Sequence, residues 1–211
     1  AISIDAGEAF YVPLNHRYLT APKQLTLDVV REVLGPVLAD RSIRKLGHDL
    51  KTTQVVLEHH GLPVAGASFD SMLACYLLDP EATTKLGLIA ERDARMRWTD
   101  FEKLAPPRRK GVPKHTIDEL EIEHVAPFAC AHGEVVLRLD ERYRDQLSER
   151  GVLPLFDDLE LPLLDVLSRM ELVGVLVAPE PLAELDLEMV RDLADIEERA
   201  HQAAGRQFNL A

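Results

Sequence analysis

The sequence is short of positive charge, of cysteine and of aromatic side chains. Lys and Arg number 24 against 36 Asp and Glu, a formal net charge of −12, and aromatics make up 5%. Affinity for nucleic acid rests largely on Lys and Arg neutralising phosphates, so this balance argues against a module that grips phosphates over a broad face. It leaves a metal-dependent nuclease open, because such enzymes present carboxylates. The two cysteines, Cys75 and Cys130, sit in apolar helical contexts without metal-ligand spacing. They read as buried thiols and fit a reducing compartment, the cytoplasm. No run approaches the roughly 20 apolar residues of a membrane span, and no charged-then-apolar leader opens the chain. GxxxxGK[ST], GxGxxG and GxSxG are all missing, so phosphate-loop, dinucleotide and serine-hydrolase chemistry has no support. His48, His59 and His60 lack Cys neighbours and a suitable i, i+4 partner, and a zinc site is not expected. An initiating Met is also missing. Ala1-Ile2-Ser3-Ile4 reads as a strand already under way, and a fragment of a longer protein is expected.

What is present is enough for a core: 211 residues, 46% of them hydrophobic, or one domain and part of another. Ala1 to Ile4 and Ala9 to Leu14 read as strands around Asp5-Ala6-Gly7-Glu8, with Gly7 supplying the hairpin angle. Thr26 to Asp40 is helical by period and kinked by Pro36. Ile43 to Leu46 is a short strand that leads into Gly47-His48-Asp49-Leu50-Lys51 and a helix. Gly61-Leu62-Pro63 turns the chain. Phe69-Asp70 then opens a second helix, with Asp70 as its cap and Met72, Leu73, Tyr76 and Leu77 as its buried stripe. Lys103 to Lys114 gathers five cations among Pro106, Pro107, Gly111 and Pro113. It reads as a solvated, proline-stiffened loop or as a phosphate-contacting one. Ile117 to Gln146 is a long helix, or two abutting ones broken near Val125 by Pro127. From Val152 on the pattern is helical throughout, and a helix over Pro179 to Ala204 carries Pro181 in its first turn.

Gly47-His48-Asp49-Leu50-Lys51, followed by Phe69-Asp70-Ser71-Met72-Leu73-Ala74-Cys75-Tyr76-Leu77-Leu78-Asp79-Pro80, resembles the second exonuclease motif of family A DNA polymerases of the bacterial polymerase I type, with its following helix. The family pattern there is roughly GxNLKYD and then FDTMLASYLLDP. Val125 to Glu134 is similar to the third exonuclease motif. Leu86 to Arg92, Leu167 to Val175 and Phe208-Asn209-Leu210 extend the likeness toward the polymerase thumb. The first motif, Asp-x-Glu, is expected upstream of Ala1.

The resemblance implies an α/β fold. It would be a ribonuclease-H-like 3′–5′ exonuclease domain, a mixed sheet with flanking helices and the first strand missing, over residues 1–151. Long helices of the polymerase thumb base follow over 152–211. It also implies two-metal phosphodiester hydrolysis, in which carboxylates hold and space the ions. Here the chain departs from the pattern. The motif's aspartates fall on Thr53 and His132, its tyrosines on Thr52 and Phe128, and its asparagine on Asp49. A threonine hydroxyl is neutral, a phenylalanine cannot hydrogen-bond, and Mg²⁺ prefers hard oxygen to imidazole nitrogen. The exonuclease site is therefore expected to be degenerate at Thr53, Phe128 and His132. No metal or cofactor is expected in this stretch, with Mg²⁺ belonging to the polymerase domain.

Nucleic-acid contacts are expected from His48, Asp49, Thr52, Arg108, Arg109 and Lys110. The partners implied are a DNA primer–template and the rest of a polymerase chain, and no membrane. Two other readings stay open: an active metal-dependent 3′–5′ exonuclease, with the missing N-terminal strand supplying carboxylates and Asp49 and Glu134 substituting, and a stand-alone nucleic-acid-binding domain of the same superfamily. The simplest roles for those two carboxylates are a helix cap for Asp49 and a solvated position for Glu134. His132 is expected to line the cleft, hydrogen-bonded to Asp49 or Glu134.

Overall fold

In the computed structural model the first hairpin is β1 (Ile2–Asp5) and β2 (Glu8–Phe10), antiparallel, with Ile2 opposite Phe10. The second strand is shorter than its pattern predicts, because Pro13 has no N–H for a ladder. The described residues are 1–105 and 114–209. Gly7 sits at φ +85° in the turn, a conformation that costs glycine little. Helix α1 (Leu27–Ala39) follows, its first turn closed by Thr26 Oγ1 accepting the Val29 N–H at 3.4 Å.

The second β pair carries the motif. Strand β3 (Lys45–Gly47) leads into helix α2 (Leu50–His59), and β4 (Ala67–Asp70) leads into α3 (Ser71–Leu78). The strands are parallel, with Leu46 opposite Phe69 and Gly47 opposite Asp70. Two βα units side by side release both helices from the same edge, where α/β folds place their sites.

Helix α3 buries a different stripe from the expected one. Ala74, Cys75 and Leu78 face the core with Ser71, Met72, Leu73 and Leu77 are half-buried, and Tyr76 is 52% exposed. Both stripes have helical spacing. Asp70 decides between them, because its cap fixes the rotation of the first turn.

Helices α4 (Leu86–Arg92) and α5 (Phe101–Leu104) follow, then a 3₁₀ turn at Ile117–Glu119. Helix α6 (Ile122–Glu149) is continuous through Pro127. The interruption expected near Val125 lies upstream instead, at Leu120 and Glu121, between the 3₁₀ turn and α6. Pro127 stands in the second turn, where it removes a single i→i−4 bond and the helix runs on.

Beyond Gly151 come α7 (Leu153–Leu155), a π-helical stretch (Phe156–Glu160), α8 (Leu161–Val173) and α9 (Pro179–Ala204). Contacts divide the chain into two units, Ala1–Leu172 and Val173–Ala211. The core of the first unit gathers Phe69, Ile89, Leu139, Tyr143, Leu147 and Phe156 around α6. Gln54 on α2 ties α8 to this unit: it donates to Asp165 at 2.8 Å and accepts from Ser168 at 2.7 Å. Helix α9 forms most of the second unit. None of the described helices is long and apolar enough to cross a membrane.

Candidate functional site

Asp70 organises the motif end of the strands. Its side chain is fully buried. Oδ2 accepts the Leu50 N–H at 2.6 Å, and Oδ1 accepts the Met72 and Leu73 N–H groups at 2.8 and 3.2 Å and the Asp49 N–H at 3.4 Å. One carboxylate thus caps two helices, α2 and α3, whose N-termini carry partial positive charge. The sequence pattern predicts the cap on α3 and misses the one on α2. That second cap follows from the strand register, which sets Gly47 beside Asp70.

The turn into α2 is closed locally. Asp49 lies in the left-handed region at φ 56°, which Asp tolerates better than most residues, and its Oδ1 accepts the Thr52 N–H at 3.3 Å. Thr53, where the motif has its aspartate, is exposed and donates its hydroxyl to the Asp49 carbonyl at 3.1 Å. His48 bonds through Nδ1 to Ser71 Oγ at 2.9 Å, and Ser71 donates in turn to the Gly47 carbonyl at 3.3 Å. With its own hydrogen placed on Gly47, Ser71 accepts from His48, so the His48 proton is on Nδ1.

Helix α6 supplies the other half. His132 donates from Nδ1 to the Phe128 carbonyl at 2.9 Å, one turn back on its own helix. Its ring lies edge-on to Phe128 and to Trp98, both at 4.7 Å between centroids, and Phe101 completes the aromatic cluster 6.1 Å from Phe128. The expected bond from His132 to Asp49 or Glu134 is not formed, because the helix carbonyl satisfies Nδ1 and Trp98 covers the ring. Trp98 fits there because Gly87 lies beneath it. A Cβ at Gly87 would come within 2.5 Å of the indole.

Glu134 is also unlike its expectation. It is 8% exposed rather than solvated. Oε2 accepts the Gly7 N–H at 2.6 Å, and Oε1 accepts from Arg138 Nε at 2.6 Å. It pins the tip of the first hairpin to α6. No local pattern announces this, since Gly7 and Glu134 lie 127 positions apart.

These placements shift several pKa values. Burial lowers that of His48, against the opposing pull of Asp70 and Asp49, and His132 lowers it further. Burial likewise lowers that of His132, against the Phe128 carbonyl. Both imidazoles are held neutral near pH 7. Burial pushes the Glu134 carboxyl up, but the Gly7 N–H and Arg138 together hold it below the usual glutamate range.

Residues 9–99 match the family described as DNA polymerase I, ribonuclease H-like domain. DNA polymerase I of Pseudomonas aeruginosa is 34% identical over 214 residues, covering 100% of this chain and 23% of its own length. That of Chloroflexus aurantiacus is 32% identical over 211 residues, covering 100% of this chain and 22% of its own length. The fold here is ribonuclease H-like, and over its whole length the chain is similar to DNA polymerase I. It spans less than a quarter of the length of these relatives. A solved structure, the POL domain of Pol1 from M. smegmatis in complex with DNA primer–template and dNTP, superposes with a TM-score of 0.68. It is 24% identical, covers 86% of this chain and 28% of that one, and speaks for the fold.

In such a domain the motif residues would have to hold a pair of hard divalent ions, and the residues here do not fit. Thr53 offers a hydroxyl turned into its own helix, and His132 an imidazole beneath Trp98. Asp70, Asp49 and Glu134 are engaged with backbone N–H groups. Among the described residues no three His, Cys, Asp or Glu side chains converge on a point that could hold a metal ion. Arg108, Arg109 and Lys110 lie outside the described residues.

Proposed function

We propose that this chain is the exonuclease-like region of a DNA polymerase I that acts in replication and repair, that its proofreading site is inactive, and that it serves as structural support for the polymerase domain. In this reading residues 1–151 are the degenerate exonuclease domain and 152–211 the entry to the polymerase domain. Mg²⁺ belongs to the polymerase part of the whole protein. A primer–template reaches this region through that part, with His48, Asp49, Thr52 and the cations Arg108, Arg109 and Lys110 as its contacts.

The observation that carries the reading is the pairing at the two aspartate positions of the motifs. Thr53 is bonded to the Asp49 carbonyl, and His132 is packed under Trp98. Two-metal hydrolysis needs carboxylates at such positions to bind and space the ions. The alternative, in which Asp49 and Glu134 take over, requires both to release the backbone N–H groups they cap.

The test is digestion of a 3′-mismatched primer with Mg²⁺ or Mn²⁺ and no nucleotides. No shortening of the primer is expected from the chain or from a longer protein that contains it. Mismatch excision that disappears in Asp49→Ala or Glu134→Ala overturns the proposal in favour of an active exonuclease.

A further inference from the structure

At the edge of the β3–β4 pair opposite the motif, a concave pocket of about 770 Å³ opens beside Gly66, Ala67 and Ser68. This volume lies within the roughly 300–1,000 Å³ usual for small-molecule sites. Three arginines line it, from two parts of the fold: Arg41 and Arg44 from the segment before β3, and Arg144 from α6. In a chain of net charge −12 such a convergence needs a reason.

The three are not equivalent. Arg144 is fully engaged: Nε meets Asp140 at 3.0 Å, Nη1 meets Asp157 at 3.1 Å, and Nη2 donates to the Ser68 carbonyl. Arg44 is partly engaged, with Nη2 on Asp140 at 2.7 Å and Nε on Ser68 Oγ at 3.2 Å, which leaves Nη1 open. Arg41 is exposed and makes no ion pair or side-chain hydrogen bond among the described residues. Free guanidinium donors at the mouth of a pocket suit phosphate oxygens, which accept from the planar fork in pairs.

The remainder of the wall is built for something other than bare phosphate. Leu161 and Pro162 give it an apolar face, and Asp165 lines it too, with Oδ1 taken by Gln54 and Oδ2 left as an acceptor. Asp157 reaches Arg144 from the π-helical stretch, and such single-turn widenings recur at functional sites. Gly66, at φ +79°, closes the back; a Cβ there would come within 2.7 Å of the Ile43 carbonyl.

We propose that this pocket binds a nucleotide, free or as the end of a single strand, with its phosphate on Arg41 and Arg44 and its base on Leu161 and Pro162. Asp165 accepts from a sugar hydroxyl or a base amino group. The site is independent of the proofreading reading and stands or falls apart from it.

The test is titration of the ¹⁵N-labelled chain with dAMP, deoxyadenosine, inorganic phosphate and a 5′-phosphorylated oligo-dA six-mer. Shifts are expected at the amides of Gly66, Ala67 and Ser68 with dAMP, at least fivefold weaker with deoxyadenosine or phosphate alone. Arg41→Ala, which removes no ion pair or side-chain hydrogen bond among the described residues, should weaken dAMP at least fivefold, and Arg41→Lys should restore part of the loss. The six-mer tells the sources apart: binding at least tenfold tighter than dAMP assigns the site to strand ends, and equal binding assigns it to the free nucleotide. No shift at these amides, or equal dAMP affinity in Arg41→Ala and the parent, overturns the proposal.

Discussion

At the C-terminal ends of β3 and β4 the carboxylates are closed within the fold. Asp70 caps two helices, Asp49 caps one, and the Thr53 hydroxyl turns back on its own helix. At the N-terminal ends of the same strands Arg41 and one amino group of Arg44 point into a pocket with no partner among the described residues. The end that resembles a catalytic motif has its polar groups consumed by structure, while the end with no motif keeps donors available. Motif resemblance and chemical availability therefore separate in this molecule.

The largest effect is expected from Asp70. Its removal orphans four backbone N–H groups, the Leu50 bond being buried and the other three part-buried. An unsatisfied buried donor costs about 1–3 kcal/mol, so Asp70→Ala should lose at least about 3 kcal/mol in urea unfolding. Asp70→Asn keeps one acceptor oxygen and should lose less. A loss under about 1 kcal/mol for Asp70→Ala would mean that the two caps are not the keystone of this end.

A smaller effect with its own pH signature is expected from Glu134. Its folded pKa lies below the usual value of 4.5. A carboxyl with a depressed folded pKa contributes stability that is full above its unfolded pKa and is lost as pH falls through the folded one. Glu134→Gln keeps the shape but loses the charge on Gly7 and Arg138, and should cost about 1–2 kcal/mol at pH 7. The difference between parent and variant should narrow below about pH 4.5 and vanish once both are neutral. His48 and His132, with pKa values lowered by burial, add a separate decline in both proteins as pH falls below 6.5. A constant difference from pH 7 to pH 3 would show that Glu134 acts by packing and not by charge.

These two residues also show what was legible in the sequence. The order of hairpin, helix, strand and motif could be read from periodicity and turn residues, because each element is set by neighbours a few positions away. Asp70 as a cap was legible for the same reason. Its second cap was not, since it depends on the register of two strands 20 residues apart. Glu134 was legible as an acidic position but not as a hairpin clamp. Polarity alone suggested solvent, and its partner lies at the other end of the chain. The buried stripe of α3 was misread because two sets of residues share helical spacing and only the Asp70 cap sets the rotation. The arginine pocket carried no signal, its members coming from positions 41, 44 and 144.

The smallest expected effect is at Thr53, and it is the most discriminating. Where the family pattern has a metal-binding aspartate, Thr53 is exposed and makes one hydrogen bond, to a carbonyl four residues back. Such back-bonding contributes little to a helix, so Thr53→Ala should change stability by less than about 0.5 kcal/mol. It should also leave primer digestion where it stands in the parent. In an active two-metal site the same truncation at the same position would abolish the reaction, since the groups that hold the ions act as a unit. Thr53→Asp alone should likewise add no excision, because the second motif position stays an imidazole under Trp98 and supplies no carboxylate. Loss of a measurable excision activity in Thr53→Ala, with stability unchanged, would place Thr53 in a working site and reverse the comparison between the two ends of the strands.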